Sequence, residues 1–261
     1  MGFLFRPKEL PHPASLTFTL EQAGHTYDDG HVGLAPTDIT ISERRVAVIG
    51  LNGAGKSTLL GLLDGSLKAN AGTVTIAGGE ERLDPAVKKD AKRIDNLVGK
   101  VRREEIPNSF YQAANISEAV SEALKKHKVP ESERHARIGN LFAHFDLAQV
   151  SKAKAGELDS EKRYLLAIAA ALSFEPSAIV ADEPSKGLDE IGTAHVAKAL
   201  FSYNKQVIFA THDTDMIRRP EYAIDRILVL DEHAVVFDGA PAEAVAFYED
   251  LIRRRYETRA S

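Results

Sequence analysis

Lys56, Ser57, Asp182, Glu183 and His212 are the side chains of this sequence whose types and neighbours could act on a phosphate. Lys56 and Ser57 close the run Gly50-Leu51-Asn52-Gly53-Ala54-Gly55-Lys56-Ser57-Thr58, which fits the phosphate-cradling pattern G-x-x-x-x-G-K-[ST]. Gly53 and Gly55 can bend where a side chain would obstruct, so successive backbone N–H groups turn into one concavity. A helix start behind them adds its dipole, Lys56 reaches β- and γ-phosphates, and the Ser57 hydroxyl is offered to Mg²⁺. Asn52, Gly53, Ala54, Gly55, Lys56, Ser57 and Thr58 are therefore the expected phosphate-binding residues. The apolar run from Ser177 ends in Asp182-Glu183. Acids at the carboxyl end of a buried strand border the ligand crevice of an open α/β sheet. Asp182 would hold the Mg²⁺ shell while Glu183 orients and deprotonates water. Standing before Pro184, the same pair also reads as a solvated turn. A second buried run ends at Thr211-His212-Asp213, where His212 would bond the γ-phosphate or the water. A structural histidine at a strand end is the alternative.

The flanking chain supplies elements to hold these groups. Val46-Ala47-Val48-Ile49 enters the loop as a buried strand, and Leu59, Leu60, Leu62, Leu63 and Leu67 form the apolar stripe of a helix leaving it. Ser15 to Glu21 alternates as a strand, Asp28-Asp29-Gly30 is a turn, and Gly72 to Ile76 is a further strand. Lys88 to Asn96 reads as a charged helix and Leu97 to Val101 as a short strand. From Pro107 to Leu172 the pattern is helical, with segments at 116–127, 131–145 and 161–172. Strands return at 178–181, 207–210, 227–230 and 235–237, with helices at 190–202 and 241–255. Strands alternating with helices imply a parallel sheet covered by helices, into which residues 107–172 are inserted.

The chain has 261 residues, 44% hydrophobic and 27% charged, enough for a full core. No run of 18 apolar residues occurs, and residues 1–14, with Pro7, Pro11 and Pro13, read as an irregular leader. The sequence has no cysteine, which excludes disulfides and fits a reducing compartment. A net charge of −5 gives no electrostatic footprint for nucleic acid. The expectation is a soluble intracellular protein.

Taken together, these motifs resemble the ATP-binding cassette (ABC) ATPase family over nearly the whole chain. Gly50–Thr58 matches its Walker A motif, Ile179–Glu183 its Walker B strand with the catalytic glutamate, and Thr211-His212-Asp213 its switch histidine. Pro184-Ser185-Lys186-Gly187-Leu188-Asp189 matches the D-loop ending in Asp189, with Lys186 where serine is usual. Tyr27 lies where the family sets an aromatic ring against adenine; apart from the resemblance, a lone tyrosine after a strand is unremarkable. The tail from Asp231 to Tyr248 is similar to the energy-coupling-factor branch, closest to biotin- and cobalt-type members. The resemblance implies an α/β P-loop NTPase: a mostly parallel central sheet, an N-terminal antiparallel β subdomain and a helical subdomain. In these terms 1–106 and 173–261 form the nucleotide-binding core and 107–172 the insertion. It also implies ATP and Mg²⁺ as cofactors, a transmembrane transporter subunit and a second ABC subunit as partners, and a peripheral position on the cytoplasmic face of the cell membrane.

Two departures stand out. The family signature LSGGQ is here Leu158-Asp159-Ser160-Glu161-Lys162. The resemblance aims this loop at the γ-phosphate of the second subunit, whereas Asp159 or Ser160 could simply cap the following helix. The usual Q-loop glutamine is replaced by Arg103 or Glu105, depending on the direction of counting, and the partner-gripping segment by Pro107-Asn108-Ser109-Phe110. The leading expectation is a transport-coupled ATP hydrolase. The rivals are a nucleotide-binding regulatory subunit with little hydrolysis and a soluble non-transport ABC protein.

Overall fold

A computed structural model describes residues 15–102 and 106–260. Its centre is a six-stranded sheet in the order β10-β9-β3-β8-β7-β6. These strands are β3 (Arg45–Gly50), β6 (Val98–Val101), β7 (Ala178–Asp182), β8 (Gln206–Ala210), β9 (Arg226–Asp231) and β10 (Ala234–Gly239). All neighbours pair in parallel except β10, which runs antiparallel to β9. The middle strands are apolar on both faces, as a sheet covered on both sides requires. Ala47, Ile49, Ile179, Ala181, Val207, Phe209, Ile227 and Val229 enter one core cluster. The residues alternating with them, Val46, Val48, Ala178, Val180, Ile208, Ala210, Leu228 and Leu230, enter the other. A one-residue slip would exchange the two sets, so the register is fixed by burial on both sides.

The second cluster lies beneath an antiparallel sheet ordered β2-β1-β4-β5: β1 (Thr17–Thr26), β2 (Val32–Ile41), β4 (Ala71–Gly78) and β5 (Glu81–Leu83). Leu16, Phe18 and Leu20 point inward, as their alternation predicts. The strand continues past the expected end at Glu21 because bulges at Gln22 and beyond reset the alternation. Gln206 ties the two sheets: its side-chain carbonyl accepts from Leu16 N–H at 3.0 Å and its amide donates to Leu16 O at 3.0 Å.

Helix α1 (Lys56–Leu63) runs from the end of β3 and is buried at every residue except Ser57. After α2 (Lys88–Leu97), the chain between β6 and β7 carries α3 (Asn108–Gln112), α4 (Ile116–Lys126), α5 (Glu131–His144) and α6 (Ser160–Leu172). Their apolar faces, Ile116, Val120, Leu124, Phe142, Leu166 and Ile168 among them, join the first cluster. Helices α7 (Glu190–Phe201), α8 (Thr214–Arg218) and α9 (Pro241–Ala260) complete the cover. Among the described residues no helix is long and apolar enough to cross a membrane.

Candidate functional site

β3 lies in the sheet with β8 on one side and β9 on the other, later strands β6, β7 and β8 falling to one side of it and β9 and β10 to the other, so the strand order switches at β3. That is where open α/β sheets form their ligand crevice. The loop Leu51–Gly55 fills this position, and Gly55 stands as N-cap of α1 in the left-handed region at φ 101°. A methyl group on Gly55 would meet Gly33 O at 2.6 Å, so both the conformation and the space demand glycine. The helix opens with neither a side-chain cap nor an acid in its first turn, leaving its N-terminal dipole to an anion.

Tyr27, Asn52, Gly53, Ala54, Gly55, Lys56, Ser57, Thr58, Asp182 and Glu183 line one cleft of about 230 Å³. Lys56 is 7% exposed; its Nζ donates to Gly50 O at 2.8 Å and Leu51 O at 3.2 Å and lies 3.6 Å from Glu183 Oε1. Glu183 follows β7 with its N–H bonded to Ala210 O at 3.0 Å and an uncommon left-handed backbone, φ 49°. Its other oxygen, Oε2, is 2.7 Å from His212 Nδ1. A buried carboxylate thus sits between an ammonium group and an imidazole. Asp182 ends β7, paired with Ala210 on β8, which in turn pairs with Val48 on β3. One strand therefore separates Asp182 from the strand that carries the phosphate loop. Asp182 and Ser57 offer two hard oxygen donors in the cleft, a set that suits Mg²⁺ arriving with phosphates. No group of three or more ligating side chains occurs among the described residues to cage an ion without them.

Tyr27 lies just beyond β1 with its hydroxyl 3.0 Å from Thr58 Oγ1. Gly33 makes room for this contact, since a methyl there would meet the Tyr27 ring at 2.5 Å and Thr58 at 2.8 Å. His31, Gly33 and His233 also line the cleft, and sequence reasoning missed all three. His31 and Gly33 lie close to Tyr27 in the chain and could have been sought there; His233 comes from a distant hairpin, in the 231–248 tail, whose resemblance singles out no residue facing the loop.

The remaining expected residues lie outside this cleft. Asp189 caps α7, accepting from Gly192 N–H at 2.8 Å. Asp159 caps α6, accepting from Lys162 N–H at 2.8 Å and pairing with Lys162 Nζ at 2.6 Å. These bonds from Lys162 hold the Asp159 carboxyl below its ordinary range and raise the Lys162 ammonium above its own. Ser160 Oγ accepts from Arg163 at 2.9 Å, and Glu161 contacts His195 Nδ1 at 2.9 Å. Arg103 and Glu105, the Q-loop positions, lie outside the described residues.

Residues 36–186 match the family pattern described as ABC transporter. The chain is 33% identical over 231 residues to a putative ABC transporter ATP-binding protein of Deinococcus radiodurans, covering 88% of this chain and 96% of that one. It is 29% identical over 240 residues to the energy-coupling factor transporter ATP-binding protein EcfA2 of Clostridium perfringens, 90% of this chain and 81% of the relative. Among solved structures it resembles cbiO1 from Clostridium perfringens, described as part of the ABC transporter complex cbiONQ. That likeness has a TM-score of 0.74 at 28% identity over 91% of this chain and 93% of the other.

Proposed function

The chain belongs to the ABC transporter family of ATPases, with relatives in its energy-coupling-factor branch, and on that premise we propose that it binds and hydrolyses MgATP to drive an importer. The observation that carries this reading is the contact of Glu183 with both Lys56 and His212 at the edge of the phosphate loop. In this reading the loop amides and Lys56 hold the β- and γ-phosphates. Ser57 and Asp182 would hold Mg²⁺, which supplies charge neutralisation on the phosphate oxygens. Glu183 takes the proton of the attacking water and His212 keeps its carboxylate in position. Tyr27 offers its ring to the base beside Thr58.

The protein works as a pair of cassettes, with itself or with a related subunit, on the cytoplasmic face of a membrane partner. The names of EcfA2 and of the cbiONQ complex support such a partner. Residues 107–172 form the part presented to it. The pairing of Asp159, where the family signature has serine, with Lys162, where it has glutamine, supports a second reading, a subunit that binds nucleotide but turns over slowly.

Glu183→Gln tests the proposal. It retains MgATP binding, abolishes hydrolysis and traps an ATP-dependent dimer, because an amide can orient water but cannot accept its proton. Phosphate release and light scattering of the purified protein read both effects. Parental turnover in the variant would move the general base elsewhere.

A further inference from the structure

Two imidazoles outside the motifs face the phosphate loop. His31 lies in the turn between β1 and β2, and His233 in the two-residue turn between β9 and β10. Their rings meet edge to face with centroids 5.1 Å apart, and Tyr27 stacks on His31 at 6.3 Å and 21°. The His233 turn has left-handed backbone at both residues, Glu232 at φ 45° and His233 at φ 67°. Asn-Gly is the favoured pair for such a hairpin, so this turn holds two side chains where glycine would be easier. Strain of this kind persists where the surroundings impose it and clusters at functional sites. Here Ala35 N–H bonds His233 O at 2.7 Å, and His233 Cα would lie 3.5 Å from a methyl group on Gly55. The turn is pressed against the phosphate loop. His233 Nδ1 is buried and hydrogen-bonds to none of the described residues. Yet His233 lines the cleft. A buried ring nitrogen beside a ligand space is left to the ligand.

We propose that His31 and His233 grip the ribose of the bound nucleotide, on the Tyr27 side of the loop. This rests on the phosphate-loop reading above. The cleft has a direction: Lys56 and Glu183 mark the end for terminal phosphates, and Tyr27 with Thr58 the opposite end. A neutral imidazole donates through one ring nitrogen and accepts through the other, so each ring can bond a ribose hydroxyl. The pair therefore reads the nucleoside half of the ligand without reading the base edge.

The test separates the two halves of the ligand. Calorimetric affinities for MgADP and for magnesium tripolyphosphate are measured on the full chain, on His31→Ala and on His233→Gly; glycine suits the left-handed turn and removes only the ring. Each variant is expected to weaken MgADP by up to about tenfold, the scale of one hydrogen bond, and to leave tripolyphosphate, which lacks the ribose, within about twofold. Unchanged MgADP affinity in both variants, with parental tripolyphosphate binding, overturns the grip and leaves the phosphate loop standing. Equal losses for both ligands also overturn it, making the histidines supports of the loop. A parental protein that binds neither ligand overturns both readings.

Discussion

Lys56 concentrates the chemistry of the site in one ammonium group shared by two loop carbonyls and the Glu183 carboxylate. Its charge-assisted bonds to phosphate would be worth about 1.5–3 kcal/mol. Lys56→Ala removes them and also takes the ammonium charge away from the buried Glu183 carboxylate, leaving it against His212. The expected outcome is a lower melting temperature and loss of the upward shift that MgATP gives the parent, read by a thermal melt with and without ligand. A full ligand-induced shift in the variant would take Lys56 out of the site. Residues such as this one are legible because their chemistry is written in consecutive positions. Asn52 to Thr58 need only one turn of chain to converge. Tyr27, just beyond β1, meets Thr58 on α1, and His233 reaches Gly55 only because β9 pairs with β3. No local pattern encodes those meetings. The capping by Asp159 was an open alternative that a helix start alone could suggest; its pairing with Lys162 required the side-chain geometry.

Among the elements, long and strongly patterned ones were readable and short or interrupted ones were not. The strands around β3 carry continuous apolar runs, so their existence follows from burial on both faces. β5, with three residues, and α8, with five, are too short to show a period. The first part of β2 hides behind Pro36 and Asp38, and the far end of β1 behind its bulges. One clamp between elements, centred on Arg226 of β9, was also invisible. Its guanidinium grips Asp238 of β10 with two bonds of 2.6 Å and donates to Thr40 O of β2 at 2.7 Å and to Glu43 just beyond β2 at 2.9 Å. Burial by itself would raise the Glu43 carboxyl, but the backbone N–H groups of Glu43 and Ser42 and the Arg226 charge outweigh it and hold it low. A carboxyl depressed in the folded state stabilises the fold above its unfolded pKa of about 4.3, and this contribution is lost as pH falls through the folded value. Arg226→Met should therefore cost about 1–3 kcal/mol at pH 7 and much less in acid, where the parent has lost the same contribution. Urea denaturation at both pH values checks it. A difference that persists undiminished in acid would assign the role to packing of the arginine stem.

At the scale of the molecule, the Asp159–Glu161 segment bears on how two cassettes would work together. In the proposed pair, Asp159 of one copy approaches the terminal phosphate on the other. Like charges about 6 Å apart at an effective dielectric near 20 repel by roughly 3 kcal/mol. Lys162 is positioned to offset part of this, since it already neutralises Asp159. Replacing Asp159-Ser160-Glu161 by Ser-Gly-Gly is expected to raise the ATPase rate of the isolated protein. It should also lower thermal stability, because it puts two glycines into the first turn of α6, each costing about 0.5–1 kcal/mol relative to alanine, and removes the contacts of Asp159 with Lys162 Nζ and of Glu161 with His195. A folded variant with equal or slower turnover would show that this segment does not limit the cycle. The order of the central sheet has a further consequence, for biogenesis. β3 lies between β8 and β9, with Arg45 paired to Val207, so its partners leave the ribosome about 160 residues after it does. At ~5–20 residues per second, both edges of this apolar strand stay unpaired for roughly 10–30 s of synthesis. The strand that carries the phosphate loop is thus the part of the nascent chain most in need of a chaperone's cover.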